Sequence, residues 1–148
     1  MKYFIYYSAT GNGDFIAEQL KEKGYTIIKV ETVKPMGKIG FFKILHYGGQ
    51  AMFKKKAKIK DLDLNIKEED EVIIGTPIWN DRLSTPINTV LDQFVFNKET
   101  TKFIFYPAGS MAKKATKQIV KQGFIKTPIV YIWPLKNQEK AQEVLKDF

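Results

Sequence analysis

The sequence contains no cysteine and only one histidine, His46. Without cysteine there can be no disulfide, thiolate metal site or cysteine nucleophile, and this composition is typical of a reducing compartment. A Ser–His–Asp hydrolase would have to use His46, which has no serine elbow motif to accompany it. No apolar run approaches the roughly 20 residues that span a bilayer, and no signal-peptide pattern is present. We therefore expect a soluble cytoplasmic protein without a transmembrane segment.

The glycine-rich stretch near the N-terminus, residues 8–13, lacks two common nucleotide-binding patterns. It has no Gly-Lys-Ser/Thr ending, so the lysine that contacts a terminal phosphate is missing. It also lacks the three-glycine spacing of the dinucleotide fingerprint. If this stretch binds a phosphate, a phosphate monoester therefore fits it better than a pyrophosphate.

Residues 33–60 contain eight lysines and no carboxylate, so this segment accounts for the whole net charge of +8. Its apolar residues lie roughly on one helical face, and Gly48-Gly49 interrupts them. We predict a basic helical insert over about 35–60, broken or kinked in the middle. Such a helix could lie on a membrane surface, but covering one face of a sheet is favoured. The lysines suit an acidic partner or an anionic surface, and a solvated basic face is an equally good interpretation.

The rest of the chain alternates strands and helices five times without a repeat or linker. This pattern predicts one α/β domain over residues 1–148, with a parallel sheet between two layers of helices. The predicted strands are 3–7, 25–30, 71–77, 101–106 and 128–133, and the predicted helices begin near Phe15, Ser84 or Thr85, Ala112 and Gln138.

Three loops follow the first, third and fourth predicted strands and therefore meet at one edge of the sheet, where ligands of such folds bind. The first loop, residues 8–13, offers backbone N–H groups, the positive end of a helix dipole, and the hydroxyls of Ser8 and Thr10. These groups suit a phosphate, although a plain strand-to-helix turn is the alternative interpretation.

The second loop, residues 76–82, carries Trp79, which could stack on a flat heteroaromatic ligand. Asn80 or Asp81 can adopt positive φ and turn backbone groups toward the ring edge. Rim packing is the alternative role for Trp79. The third loop offers backbone N–H groups, and together the loops describe a flavin mononucleotide (FMN) site. The candidate cofactor-binding residues are Ser8, Ala9, Thr10, Gly11, Asn12, Gly13, Pro77, Ile78, Trp79, Asn80, Asp81, Pro107, Ala108, Gly109 and Ser110.

Two of these stretches resemble a known family. Ser8-Ala9-Thr10-Gly11-Asn12-Gly13 is similar to the phosphate loop of flavodoxins, usually Thr/Ser-x-Thr-Gly-Asn-Thr. Residues 75–79, followed by 84–88, resemble the second flavin loop and the helix after it. The resemblance implies a flavodoxin-like three-layer sandwich, strand order 2-1-3-4-5, non-covalent FMN and electron transfer. It places the ribityl phosphate on residues 8–13 and the isoalloxazine ring near Trp79, between the second and third loops.

The chain departs from the flavodoxin pattern at three places. Gly13 replaces the usual final threonine, which removes a hydroxyl donor worth about 1 kcal/mol. Asp14 follows immediately and would repel a phosphate dianion unless its carboxylate points away. The third loop lacks the acidic and aromatic residues that often flank the ring, so a second stacking partner is not identified. Tyr106 is a candidate, but its place at a strand end suits packing equally well.

The resemblance to flavodoxins implies an electron carrier more than a turnover enzyme, and no catalytic or metal-binding residues are assigned. The partner would be a redox protein, with an acidic surface favoured by the lysine-rich segment. We expect no specific nucleic-acid binding, and a monomer or a weak dimer. Two alternatives stay open: an FMN-dependent NAD(P)H or quinone-type oxidoreductase, and a flavin-free binding module that uses its lysine-rich segment.

Overall fold

The computed structural model describes residues 1–34, 56–107, 112–131 and 133–148. Its strands, numbered in chain order, are β1 (Lys2–Tyr6), β2 (Thr26–Lys29), β3 (Glu71–Trp79), β4 (Arg82–Leu83), β5 (Lys102–Pro107) and β6 (Ile129–Val130). Its helices are α1 (Asn12–Glu22), α2 (Thr85–Gln93), α3 (Lys113–Lys121) and α4 (Gln138–Leu145).

The sheet has the order β2-β1-β3-β5-β6, and neighbours along this path run parallel. The short strand β4 lies off the path and pairs antiparallel with the end of β3. The five parallel strands therefore follow the predicted order 2-1-3-4-5, with β4 as an additional hairpin strand. A parallel sheet of this kind needs cover on both faces because its strands are apolar on both sides.

Two buried clusters supply that cover. One face of β3, with Val72 and Ile74, packs against residues of α2 and α3 such as Ile87 and Ile119. The other face packs against α1 and α4, where Ile16, Ala17, Leu20, Ala141 and Leu145 are buried together with Phe4 and Ile73. The chain is thus a three-layer sandwich, as predicted.

Several predicted elements differ from the observed ones. The last strand is limited to Ile129–Val130, because Pro128 cannot donate a ladder hydrogen bond and Trp133 adopts a left-handed φ of 52°. In α3, Ala115 and Ile119 are buried, whereas Val120, the next residue, is 60% exposed.

Most of the predicted basic helical insert, residues 35–55, lies outside the described residues. Its last five residues, 56–60, are not helical, which corrects the prediction there. Instead Ile59 forms an antiparallel bridge with Thr32, and two backbone hydrogen bonds flank that bridge. Within the described residues, no helix has the length and apolar character needed to cross a bilayer.

Glu71, the first residue of β3, is an acid that stabilises the fold. Its carboxylate accepts a hydrogen bond from the Tyr25 hydroxyl at 2.6 Å and one from Lys102 Nζ at 3.2 Å, and Lys2 Nζ lies 3.6 Å away. Desolvation would raise the pKa of Glu71, but these hydrogen bonds and charges outweigh it and hold the pKa below its ordinary 4.5.

We expect Glu71→Gln to lower the free energy of unfolding by about 1 kcal/mol at neutral pH. A depressed folded-state pKa stabilises the fold above the unfolded pKa, and this contribution is lost as pH falls through the folded value. Urea titrations from pH 7 to pH 3 should therefore show the gap between wild type and variant closing in acid. Asp92→Asn, in an exposed pair with Lys56, is the control and should change stability little. A gap that persists unchanged at pH 3 would contradict the assignment.

Candidate functional site

The first candidate loop leads from β1 into α1. Gly11 is the N-cap of α1 with a left-handed φ of 89°, and the helix begins at Asn12. The sequence pattern predicted that this helix begins near Phe15, and the observed helix begins three residues earlier. Asn12 and Gly13 therefore belong to the first helical turn, whose backbone N–H groups have no partner within the helix. The first turn of α1 therefore lies at the edge where a phosphate would sit, and its Gly13 N–H is directed at Ser8 Oγ.

The loop is held by its own side chains and by one distant segment. Ser8 Oγ accepts a hydrogen bond from the Gly13 N–H at 3.2 Å, and Thr10 Oγ1 accepts one from Asn12 Nδ2 at 2.9 Å. Asn12 Oδ1 in turn accepts from the Leu135 N–H at 3.0 Å. Ala9 and Thr10 are exposed, so the loop is open to a ligand from solvent. No local sequence pattern marks Leu135 as a neighbour of this loop.

Gly13 sits in a space that no side chain can enter. A Cβ at this position would lie 2.7 Å from Tyr106 Oη, 2.8 Å from Tyr6 Cδ2 and 3.0 Å from Ser8 Cβ. The glycine therefore lets the first turn of α1 pack directly on the ends of β1 and β5. This packing explains why the usual threonine is absent here.

Tyr106 is a packing residue in this structure, not an open stacking surface. It is 4% exposed, and its hydroxyl donates a hydrogen bond to the Tyr7 carbonyl. Desolvation raises the pKa of Tyr106 well above its ordinary value, so the hydroxyl stays protonated. The structure therefore supports the packing role of Tyr106, and stacking of a ligand ring on it stays a prediction.

Asp14, in the first turn of α1, has its carboxylate paired. Lys29 Nζ lies 2.6 Å from Asp14 Oδ1, and the Tyr6 hydroxyl donates to the same oxygen at 2.7 Å. Desolvation would raise the pKa of Asp14, but the hydrogen bonds from Lys29 and Tyr6 and the lysine charge hold it below its ordinary value. The carboxylate is thus ionised and balanced by a cation.

The second candidate loop is shorter than predicted. Strand β3 continues through Pro77, Ile78 and Trp79, all of them buried, instead of ending at Pro77. The turn is only Asn80 and Asp81, with φ of 48° and 62°. Positive φ at both positions is what a two-residue hairpin turn of this hand needs. The expectation of positive φ is confirmed, whereas the assignment of residues 77–79 to a loop is wrong.

Trp79 is 1% exposed, and its ring makes an edge-to-face contact with Tyr7 at 5.7 Å between centroids and 88° between planes. The structure therefore shows it as a packing residue. Stacking of a ligand on Trp79 stays a prediction, and it requires the ring to become exposed.

The second loop is tied to the helix that follows the third loop. Asp81 Oδ2 accepts a hydrogen bond from the Lys114 N–H at 3.2 Å, and the Asp81 carbonyl accepts from the Ala115 N–H at 2.8 Å. Asp81 therefore caps α3 and directs these groups at the helix, not at a ring edge. Of the third loop, Pro107 is buried as the last residue of β5, while Ala108, Gly109 and Ser110 lie outside the described residues.

No protein-family model and no curated protein matches this chain. A candidate flavoprotein from Bacteroides eggerthii is similar in structure, with a TM-score of 0.73 and 20% identity over 99% of this chain and 95% of that one. A candidate flavoprotein from Bacteroides uniformis has a TM-score of 0.71 and 18% identity over 98% and 97% of the two chains. A flavoprotein from Lactobacillus acidophilus, solved in complex with FMN, has a TM-score of 0.58 and 19% identity over 93% and 96%. At these identities the similarity shows the fold, and the chain therefore has a flavodoxin-like fold.

Proposed function

We propose that this protein binds FMN without a covalent bond and acts as an electron carrier. The observation that carries the proposal is the geometry at Gly11–Gly13. A left-handed glycine opens α1 at the carboxyl edge of β1, beside the exposed Thr10, in a fold whose similar structures include an FMN complex. That edge is where ligands of doubly wound sheets bind.

The residues present fit the phosphate end of FMN. The first-turn N–H groups of α1 and the hydroxyls of Ser8 and Thr10 supply hydrogen-bond donors to a phosphate monoester. The Gly13 position leaves no room for a side chain between the loop and the tyrosines beneath it. When bound, the flavin would supply reversible one- and two-electron transfer. The ring itself we place near Trp79, at the end of β3, because residues 75–79 resemble the second flavin loop.

A carrier role is favoured by the state of the titratable groups at this edge. Asp14 is held by Lys29 and Tyr6, and Asp81 caps α3, so both carboxylates already have structural partners. Neither is poised to exchange a proton with a substrate. The partner we propose is a redox protein with an acidic surface, whose binding should weaken as salt increases.

The first experiment is a visible absorption spectrum of the purified protein, followed by FMN titration with fluorescence quenching. Flavin bands or saturable quenching support the proposal. Absence of binding at high micromolar FMN would refute it and favour the flavin-free binding module that uses the lysine-rich segment. Oxidation of NADH or NADPH at steady state by the loaded protein would replace the carrier role with that of a reductase.

Thr10→Val should weaken FMN binding about fivefold to tenfold, because a hydroxyl that bonds a charged phosphate is lost. Thr26→Val is the matched control, since Thr26 is also exposed but lies on edge strand β2. The dissociation constants of both variants are read from the same quenching titration. Equal affinities of wild type and Thr10→Val for FMN would show that the Thr10 hydroxyl does not bind the phosphate.

A further inference from the structure

Asp14 places a negative charge within the proposed phosphate site. It is the third residue of α1, in the turn whose N–H groups would bind the phosphate. Ser8, one of the residues expected to contact the ligand, also helps to hold the pKa of this carboxyl below its ordinary value. Ser8 Oγ meanwhile accepts the Gly13 N–H at 3.2 Å. The carboxylate and an incoming phosphate would therefore share Ser8 as a neighbour.

Lys29 is placed to offset that charge. It ends β2, which neighbours β1 in the sheet, so it reaches the same carboxyl edge as residues 8–13. Its ammonium lies 2.6 Å from Asp14 Oδ1 and 5.9 Å from the centre of the Tyr6 ring. Across the described ranges, Lys29 is the cation paired with Asp14. Tyr6, the other partner of the carboxylate, is a neutral donor.

We propose that Lys29 is the positioning residue that makes this loop accept a phosphate dianion. The inference rests on the proposed FMN function. An unpaired carboxylate in the first turn would oppose the favourable helix dipole and repel the ligand. The ammonium cancels this repulsion and keeps the carboxylate turned toward β2. Lys29 thereby preserves the preference of the loop for the phosphorylated flavin, FMN, over riboflavin, which has the same ring and no phosphate.

The test compares FMN and riboflavin affinities by fluorescence quenching in a set of variants. Lys29→Gln should weaken FMN binding about tenfold, a change that one uncompensated charge at short range can produce. Riboflavin affinity should stay unchanged. The double variant Lys29→Gln/Asp14→Asn should recover FMN affinity close to that of wild type, because both charges are gone. Lys60→Gln is the matched control, since Lys60 also pairs with an exposed acid, Glu31, away from the loop.

The outcomes separate this inference from the proposed function. If wild type binds FMN and Lys29→Gln binds it equally well, the role of Lys29 is overturned while FMN binding stands. If Lys29→Gln weakens both flavins equally, or the double variant does not recover, the effect is structural and the inference also fails. If wild type binds neither flavin, both proposals fall. Thermal unfolding of each variant checks that the fold is intact.

Discussion

Replacement of Gly13 by alanine should cost at least a factor of about one hundred in FMN affinity and about 2 to 3 kcal/mol in stability. The added Cβ would stand 2.7 Å from Tyr106 Oη and 2.8 Å from Tyr6 Cδ2. Neither ring can retreat, because both tyrosines are 4% exposed and Tyr106 is hydrogen-bonded to the Tyr7 carbonyl. The first turn of α1 must therefore move, and the phosphate-binding N–H groups move with it.

Denaturant unfolding and FMN titration of the same preparation measure both effects. Gly24→Ala is the control, because an added Cβ at Gly24 would meet no atom within 4 Å, although Gly24, unlike Gly13, has a left-handed φ of 82°. It should lose only the backbone cost of a left-handed alanine, about 1 kcal/mol, and keep its FMN affinity. A Gly13→Ala protein with wild-type stability and FMN affinity would contradict the close packing of α1 on Tyr6 and Tyr106.

The second large effect is expected at Gly75, in the middle of β3. A Cβ there would lie 2.6 Å and 2.8 Å from two atoms of the Phe4 ring and 2.9 Å from Tyr6 Cβ. Phe4 is fully buried and stacks on Tyr6, with ring centroids 5.0 Å apart and planes at 6°. Gly75→Ala should therefore lower the free energy of unfolding by about 3 kcal/mol, the upper range for overpacking a core.

Chemical denaturation gives the size of this loss, and a second substitution tests its cause. Phe4→Leu removes the ring atoms that an added Cβ would meet. The double variant Gly75→Ala/Phe4→Leu should be less destabilised than the sum of the two single variants, as expected for residues in direct contact. Strict additivity would mean that the loss at Gly75 comes from some other source than the Phe4 ring.

The layered arrangement was predictable because it depends on local patterns, whereas the strand order was implied by the resemblance to flavodoxins. Continuous apolar runs such as Val72–Ile74 indicate strands buried on both faces, and the helical stripe at Ile16 and Leu20 indicates the layer that covers them. Positive φ at Asn80 and Asp81 was likewise predictable, because these residue types tolerate it. Each of these properties belongs to a short stretch of chain.

The predictions failed where the outcome depends on residues that are distant in sequence. Pro77 was expected to end β3, yet the strand continues because the distant strand β5 pairs with Pro77 and Ile78, and β4 then pairs with Ile78 and Trp79. Trp79 is buried at the end of this longer strand. The partner of Asp14 could not be found either, because only the sheet order brings Lys29 to it. Patterns of residue spacing within one short stretch do not predict contacts between residues so far apart in the sequence.

The link from Asp81 to α3 affects how this edge of the sheet can move. Its carboxylate and its carbonyl both accept hydrogen bonds from the first turn of α3, so the β3–β4 turn and that helix should move together. A ligand that displaced the β3–β4 turn would move the start of α3 in the same direction, so the distance between this turn and α3 would not change. We therefore expect the β3–β4 turn and the start of α3 to tilt together, relative to the loop at Gly11.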